Sequence, residues 1–180
     1  MTELLRTALV VVVAEAERVV SPWRSRYLRE TVERGIPPHV TVLFPFVPAD
    51  ELDDDVLETL GALYTGEKAF AFILDRVETF PAHAWLAPEP TTSFRQLIAS
   101  TRRRFPDLVP YGDETLDPVP HLTVAAADDP VELSRIAAAL HRRLAPQLPI
   151  QAHADAVALL EEQHDGTWIL RCSFPLGGTT

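Results

Sequence analysis

Apolar residues run without a break from Leu9 to Ala14, a stretch rich in Val and too short for an ordinary helix, which predicts a strand buried on both faces. Ser21-Pro22 then has the form of a helix start, with a hydroxyl at the cap and proline at the first helical position, and predicts a helix over residues 23–33 stopped near Gly35. The period changes after Pro37-Pro38. His39-Val40-Thr41-Val42 alternates polar with apolar, which predicts a strand from His39 to Phe44 closed by Pro45. Acidic residues crowd the first turn of residues 50–63, where Leu52, Val56, Leu57, Leu60 and Leu63 recur at helical spacing. Residues 70–77 and 84–86 read as strands joined near Pro81, and Thr92 or Ser93 offers a cap for a helix that carries Phe94, Leu97 and Ile98 and ends by Pro106.

A loop rich in Pro, Gly and Asp leads to a second alternating strand, His121 to Ala126. A helix follows from about Pro130 to Leu144, with Leu133, Ile136, Ala137 and Leu140 on one side. The tail reads as one strand to about Glu161, the turn Asp165-Gly166, and a returning strand over residues 167–174.

At 180 residues and 47% hydrophobic content the chain can bury a core without disulfides, and a single domain over residues 1–180 is expected. Its lone cysteine, Cys172, lies in a strand-like run and is expected to be a buried structural thiol in a reducing setting. The run from Ala8 to Ala14 is too short to span a bilayer, and the expectation is a soluble, cytoplasmic protein with no membrane partner. A formal charge of −10 argues against an extended nucleic-acid surface, which needs dense Lys and Arg, but leaves room for a small anionic substrate or one RNA end. Lys68 is the only lysine, so nearly all positive charge is guanidinium, whose planar fork suits phosphate.

The chemistry is concentrated in a repeat. Pro38-His39-Val40-Thr41-Val42 and Pro120-His121-Leu122-Thr123-Val124 are two copies of Pro-His-x-Thr-Val. In extended backbone each copy puts His and Thr on one face and two apolar side chains on the other. One copy reads as a half-buried strand; two copies facing each other would bring two imidazoles and two hydroxyls to one place, a set suited to acid-base chemistry on an anion. The wide separation of the copies, each followed by a helix and further strand, suggests two similar halves about a pseudo-twofold axis. The expected architecture is therefore α+β, with two antiparallel sheets flanking a central cleft. A zinc site is not expected, because no His-x-His, His-Glu-x-x-His or cysteine pair supplies further ligands.

On these two motifs, together with the flanking segments 38–46 and 85–90, the chain resembles the 2H phosphoesterases, the superfamily of the bacterial 2′-5′ RNA ligase-like proteins and cyclic nucleotide phosphodiesterases. The resemblance runs in motif order from about Ser21 through Ala126. It implies a two-lobed fold with helices on the outer faces and cofactor-free, metal-independent phosphodiester chemistry, in which His39 and His121 are acid and base and Thr41 and Thr123 hold the phosphate oxygens. The arrangement usually proposed in the family makes His121 the base and His39 the acid; the sequence itself does not order them. The implied substrate is a nucleotide or RNA end carrying a 2′,3′-cyclic phosphate or a 2′-5′ diester.

Arg24 and Tyr27 resemble an Arg and a Tyr that precede the first motif in the ligase-like branch and are expected to contact substrate, the alternative being a solvated Arg face with Tyr27 packed inward. Trp85 is read as core before base platform, Arg102-Arg103-Arg104 as cations complementing a helix C-terminus, and His83, His141, His153 and His164 as structural or solvent-facing. The competing function is a binding module that uses the same cleft to hold a nucleotide or terminal phosphate without turnover.

Overall fold

The structure, a computed structural model, describes residues 4–112 and 117–178. Strand β1 (Thr7–Val12) leads through a 3-10 turn into α1 (Glu17–Tyr27) and α2 (Arg29–Glu33), followed by β2 (His39–Leu43) and α3 (Asp54–Thr65). Next come β3 (Phe70–Phe80), β4 (His83–Glu89), α4 (Thr91–Arg104), β5 (Leu122–Ala126) and α5 (Pro130–Leu144), then β6 (Ile150–Ala154), β7 (Ala156–Glu162) and β8 (Trp168–Pro175).

The strands form two antiparallel four-stranded sheets, ordered β2-β1-β7-β8 and β5-β4-β3-β6. Each motif strand is an edge strand, and the edges β2 and β5 meet each other. The helices trade sides: α1 follows β1 but packs on β5, whereas α4 follows β4 but packs on β2. That exchange is the approximate twofold relation suggested by the repeat, and it ties the two α+β halves into one molecule with a cleft at the joint. Among the described residues no helix is long and apolar enough to cross a membrane.

Alternation decides which face of β1 and β7 looks where. Leu9, Val11, Val157 and Leu159 enter the main core, while Ala8, Val10, Ala158 and Leu160 form a second, smaller cluster with Trp168 on the opposite face. A strand buried on both faces carries no polar alternation, which is why residues 9–14 read as one apolar run.

Four local expectations are corrected. Ser21-Pro22 does not open a helix: the chain turns helical at residues 14–16, and Pro22 lies inside α1. Packing of Ala16, Val20, Trp23 and Tyr27, one helical stripe, against the core overrides the break that proline would otherwise impose. Helix α4 starts at Thr91 behind Pro90 with no side-chain cap, so neither Thr92 nor Ser93 serves. The tail strand is two strands: β6 pairs with β3 and β7 pairs with β1, with only Asp155 between them. Cys172 is half-buried, and partial burial raises its thiol pKa. Asp129 caps α5 by accepting from the Val131 amide, and Leu133, Ile136, Ala137 and Leu140 are buried as the pattern required.

Candidate active site

In β2 the apolar partners Val40 and Val42 are 0% and 3% exposed, and in β5 Leu122 and Val124 are 0% and 1% exposed. These anchors leave His39, Thr41, His121 and Thr123 half-buried on the opposite face, where all four line one cavity of about 760 Å³. The two motifs, distant in the chain, therefore meet.

The histidines are held by the same device. His39 Nδ1 donates to the Pro37 carbonyl at 2.8 Å, and His121 Nδ1 donates to the Val119 carbonyl at 2.7 Å. A carbonyl only accepts, so in each neutral ring the proton sits on Nδ1 and Nε2 keeps its lone pair. The prolines matter here as well, because extended backbone before the His brings the carbonyl two residues upstream back to the ring.

Burial disfavours both imidazolium forms. It pushes the His39 pKa down to about 4, opposed by the hydrogen bond to Pro37 and reinforced by the Arg24 and His121 charges. Burial also lowers the His121 pKa, against the pull of the Val119 carbonyl and with repulsion from His83. The His121 ring stands perpendicular to Phe80 with centroids 5.1 Å apart, and Phe80 stacks on Trp85 at 4.8 Å. Trp85 is 7% exposed, the core role expected for it, and its indole Nε1 has no hydrogen-bond partner.

Arg24 lines the cavity yet is only 4% exposed; one terminal nitrogen donates to the Ile36 carbonyl at 2.9 Å, and its Nε is unpartnered. Desolvation lowers its pKa. A buried guanidinium with an unused donor beside the histidines is suited to holding an anion. Tyr27 differs from the expectation: its ring stacks on Trp23 at 6.1 Å, packs against the core and does not line the cavity. One helical turn separates the outcomes, since Tyr27 continues the core stripe of α1 while Arg24 stands beside it.

The cavity has walls that the motifs did not announce. Phe44, Tyr111 and Trp168 form an aromatic shelf, with the Phe44 centroid 6.0 Å from that of Tyr111 and 6.2 Å from that of Trp168. The Arg6 guanidinium lies 5.9 Å from the Phe44 centroid and 5.7 Å from that of Trp168, fixed by two bonds to Glu162 at 2.7 and 2.6 Å. Gly35 admits the neighbouring chain turn: its φ is +81°, and a Cβ there would come within 3.1 Å of the Trp168 carbonyl. Tyr111, in left-handed backbone at φ 52°, donates its amide to the Phe44 carbonyl and shares a hydrogen bond between its hydroxyl and that of Thr41.

His83, exposed as its solvent-facing reading expected, also lines the cavity. The other three histidines lie elsewhere: His141 in the last turn of α5, His153 bonded to Asp155 at 2.6 Å, and His164 exposed. Arg102, Arg103 and Arg104 occupy the last turn of α4, the place expected from the helix dipole. Only Tyr111 carried a local signal, its position beside Gly112 in a Pro- and Gly-rich loop; single residues such as Arg6, Phe44, His83 and Trp168 carried none. Among the described residues no group of three or more His, Cys, Asp or Glu is placed to hold a metal ion.

Comparison with known proteins gives the following. Residues 12–166 match the family model described as the 2′-5′ RNA ligase superfamily. No curated protein matches the chain. Among solved structures, TT0787 of Thermus thermophilus is similar at 21% identity and a TM-score of 0.60, over 97% of this chain and 100% of that one. LigT of E. coli complexed with 3′-AMP is similar at 16% identity and a TM-score of 0.63, over 97% and 99%. LigT complexed with ATP is similar at 16% identity and a TM-score of 0.59, with the same coverage.

Proposed function

The chain belongs to the 2′-5′ RNA ligase superfamily of 2H phosphoesterases, and from that premise we propose that the cleft hydrolyses a phosphodiester at an RNA end or in a small nucleotide, a 2′,3′-cyclic phosphate or a 2′-5′ linkage. The observation that carries the reading is the pair of His-x-Thr strands whose imidazoles, each anchored through Nδ1 to its own upstream carbonyl, line one cavity with both threonines. Its nucleoside part is supported by the shelf of Phe44, Tyr111 and Trp168, a surface of the kind on which bases stack. The solved LigT complexes with 3′-AMP and ATP lend weight to a nucleotide ligand.

In hydrolysis of a 2′,3′-cyclic phosphate, one imidazole takes a proton from water as its oxygen bonds to phosphorus. The other gives a proton to the departing 3′ oxygen, leaving a 2′-monoester. Arg24 supports an order for the pair. Its charge adds to burial in keeping His39 neutral, so His39 is the base and His121, on which the Arg24 charge does not bear, is the acid. This reverses the order taken from the usual family arrangement. Thr41 and Thr123 donate to the non-bridging oxygens, and Arg24 offsets the negative charge that builds there. In the ligation direction the two histidines exchange roles.

A phosphorus NMR time course on 2′,3′-cyclic nucleotides tests the reading. Accumulation of a 2′-monoester, abolished in His39→Ala and His121→Ala, is the expected result. Binding of nucleotides by the wild-type protein without any turnover would instead assign the cleft to the competing role of a non-catalytic binding module.

A further inference from the structure

Helix α1 has two flanks. One carries Arg24 to the cleft; on the other side of the core stripe, Arg18, Pro22 and Arg26 recur every fourth residue and face the end of α5. Between the helices lies a second cavity of about 640 Å³, lined by Arg18, Arg26, Arg142 and Arg143 around the half-buried ring of Trp23.

The charge of this groove runs against that of the chain. At a net charge of −10 carboxylates are plentiful, and several guanidiniums find one, as Arg6 does with Glu162, Arg29 with Glu33, Arg34 with Glu30 and Arg171 with Glu161. Among the described residues, none of Arg18, Arg26, Arg142 and Arg143 forms an ion pair. The helix dipole accounts for Arg142 and Arg143, which sit in the last turn of α5. It does not account for Arg18, which lies near the other end of its helix, far from the C-terminus of α1. Four like charges brought together around an aromatic ring repel unless an anion joins them.

We infer that the groove between α1 and the end of α5 is a second binding site, which holds phosphates of single-stranded RNA whose reactive end lies in the cleft. The inference rests on the function proposed above. Guanidiniums tracking a backbone beside an aromatic ring are the usual means of holding a single strand, and the Trp23 ring, backed by Tyr27, offers one base a stacking surface. About 10–12 Å, the breadth of one helix, separates the two flanks of α1, so a strand that leaves the cleft reaches the groove within a few nucleotides. A short patch of four arginines fits such a strand, in a chain too acidic to grip long nucleic acid.

The test compares a fluorescent dinucleotide with a decanucleotide, each ending in a 3′-phosphate, by anisotropy. It uses the wild type and two double variants, Arg18→Gln with Arg26→Gln and Arg142→Gln with Arg143→Gln. Each double variant is expected to weaken decanucleotide binding about tenfold and to reduce its salt slope by about 1.4, at roughly 0.7 per phosphate neutralised. Dinucleotide binding and turnover of a 2′,3′-cyclic mononucleotide should be unchanged. Wild-type affinity for the decanucleotide in both variants overturns the inference, as does equal weakening of the dinucleotide, or arginine-dependent capture of phosphatidylglycerol vesicles without decanucleotide binding. If the wild type binds the decanucleotide through these arginines but turns over no cyclic phosphate, the proposed chemistry fails and the groove stands.

Discussion

His39 and His121 are held in the same tautomer by the same contact, Nδ1 to the carbonyl two residues upstream, at 2.8 and 2.7 Å. Equivalent anchoring on two edge strands that meet gives each ring a fixed orientation and the same nitrogen, Nε2, as its free base. Substituting either histidine with alanine is expected to lower kcat for cyclic-phosphate hydrolysis at least about a hundredfold. Because the pair acts as a unit in the proposed reaction, the double variant should be scarcely slower than the worse single one, and a multiplicative loss would count against a shared mechanism.

The threonines are expected to act on the transition state more than on binding. Thr41→Val and Thr123→Val keep the shape and remove the hydroxyl. Each should cost about 2–4 kcal/mol in kcat, roughly thirtyfold to a thousandfold, with a smaller change in KM. Tyr111→Phe removes only the partner of Thr41 and should give a smaller loss of the same kind.

Acid should destabilise the protein through His39. The unfolded ring takes up a proton below about 6.5, while the folded ring refuses it down to about 4, so stability falls as pH drops across that window and is indifferent to this group above it. The slope is at most about 1.36 kcal/mol per pH unit and the total at most about 3.4 kcal/mol. The depressed His121 adds with the same sign. Thermal melts of wild type and His39→Gln between about pH 4 and 7 check this, and the variant should have the flatter acid limb.

In the proposed mechanism Arg24 sets the proton order. Arg24→Gln should raise the His39 pKa, read by NMR titration of the ring, and should weaken binding of a nucleotide monophosphate. An unmoved His39 titration would remove the electrostatic basis for making His39 the base.

The shelf should govern KM. Phe44→Ala is expected to raise KM for cyclic nucleotides by about tenfold, the lower end of the roughly 1–3 kcal/mol that a stacked base contributes, with kcat largely retained. Ethylene glycol cyclic phosphate, which has no base, should be insensitive to the change. Equal losses on both substrates would make Phe44 a structural residue only.

The alternating polar and apolar positions around His39 and His121 settled, from the chain alone, which side chains point away from the core, because in extended backbone direction is a local property with a period of two. The same holds for α5, whose cap and apolar stripe are both local. Local pattern failed at Pro22, where packing against the core outweighed a helix-breaking residue, and at Asp155, where one residue separates strands in different sheets.

What the sequence determined by itself was the candidate reacting set, His39, Thr41, His121 and Thr123, together with an α+β chain of two related halves. Only the tertiary structure decided that edge strands β2 and β5 meet, that Tyr27 turns to the core while Arg24 reaches the cleft, and that Arg6, Phe44, Tyr111, His83 and Trp168 complete the walls. The physical reason is range: facing and capping depend on neighbours along the chain, whereas strand pairing and burial depend on partners that the chain brings close only by folding.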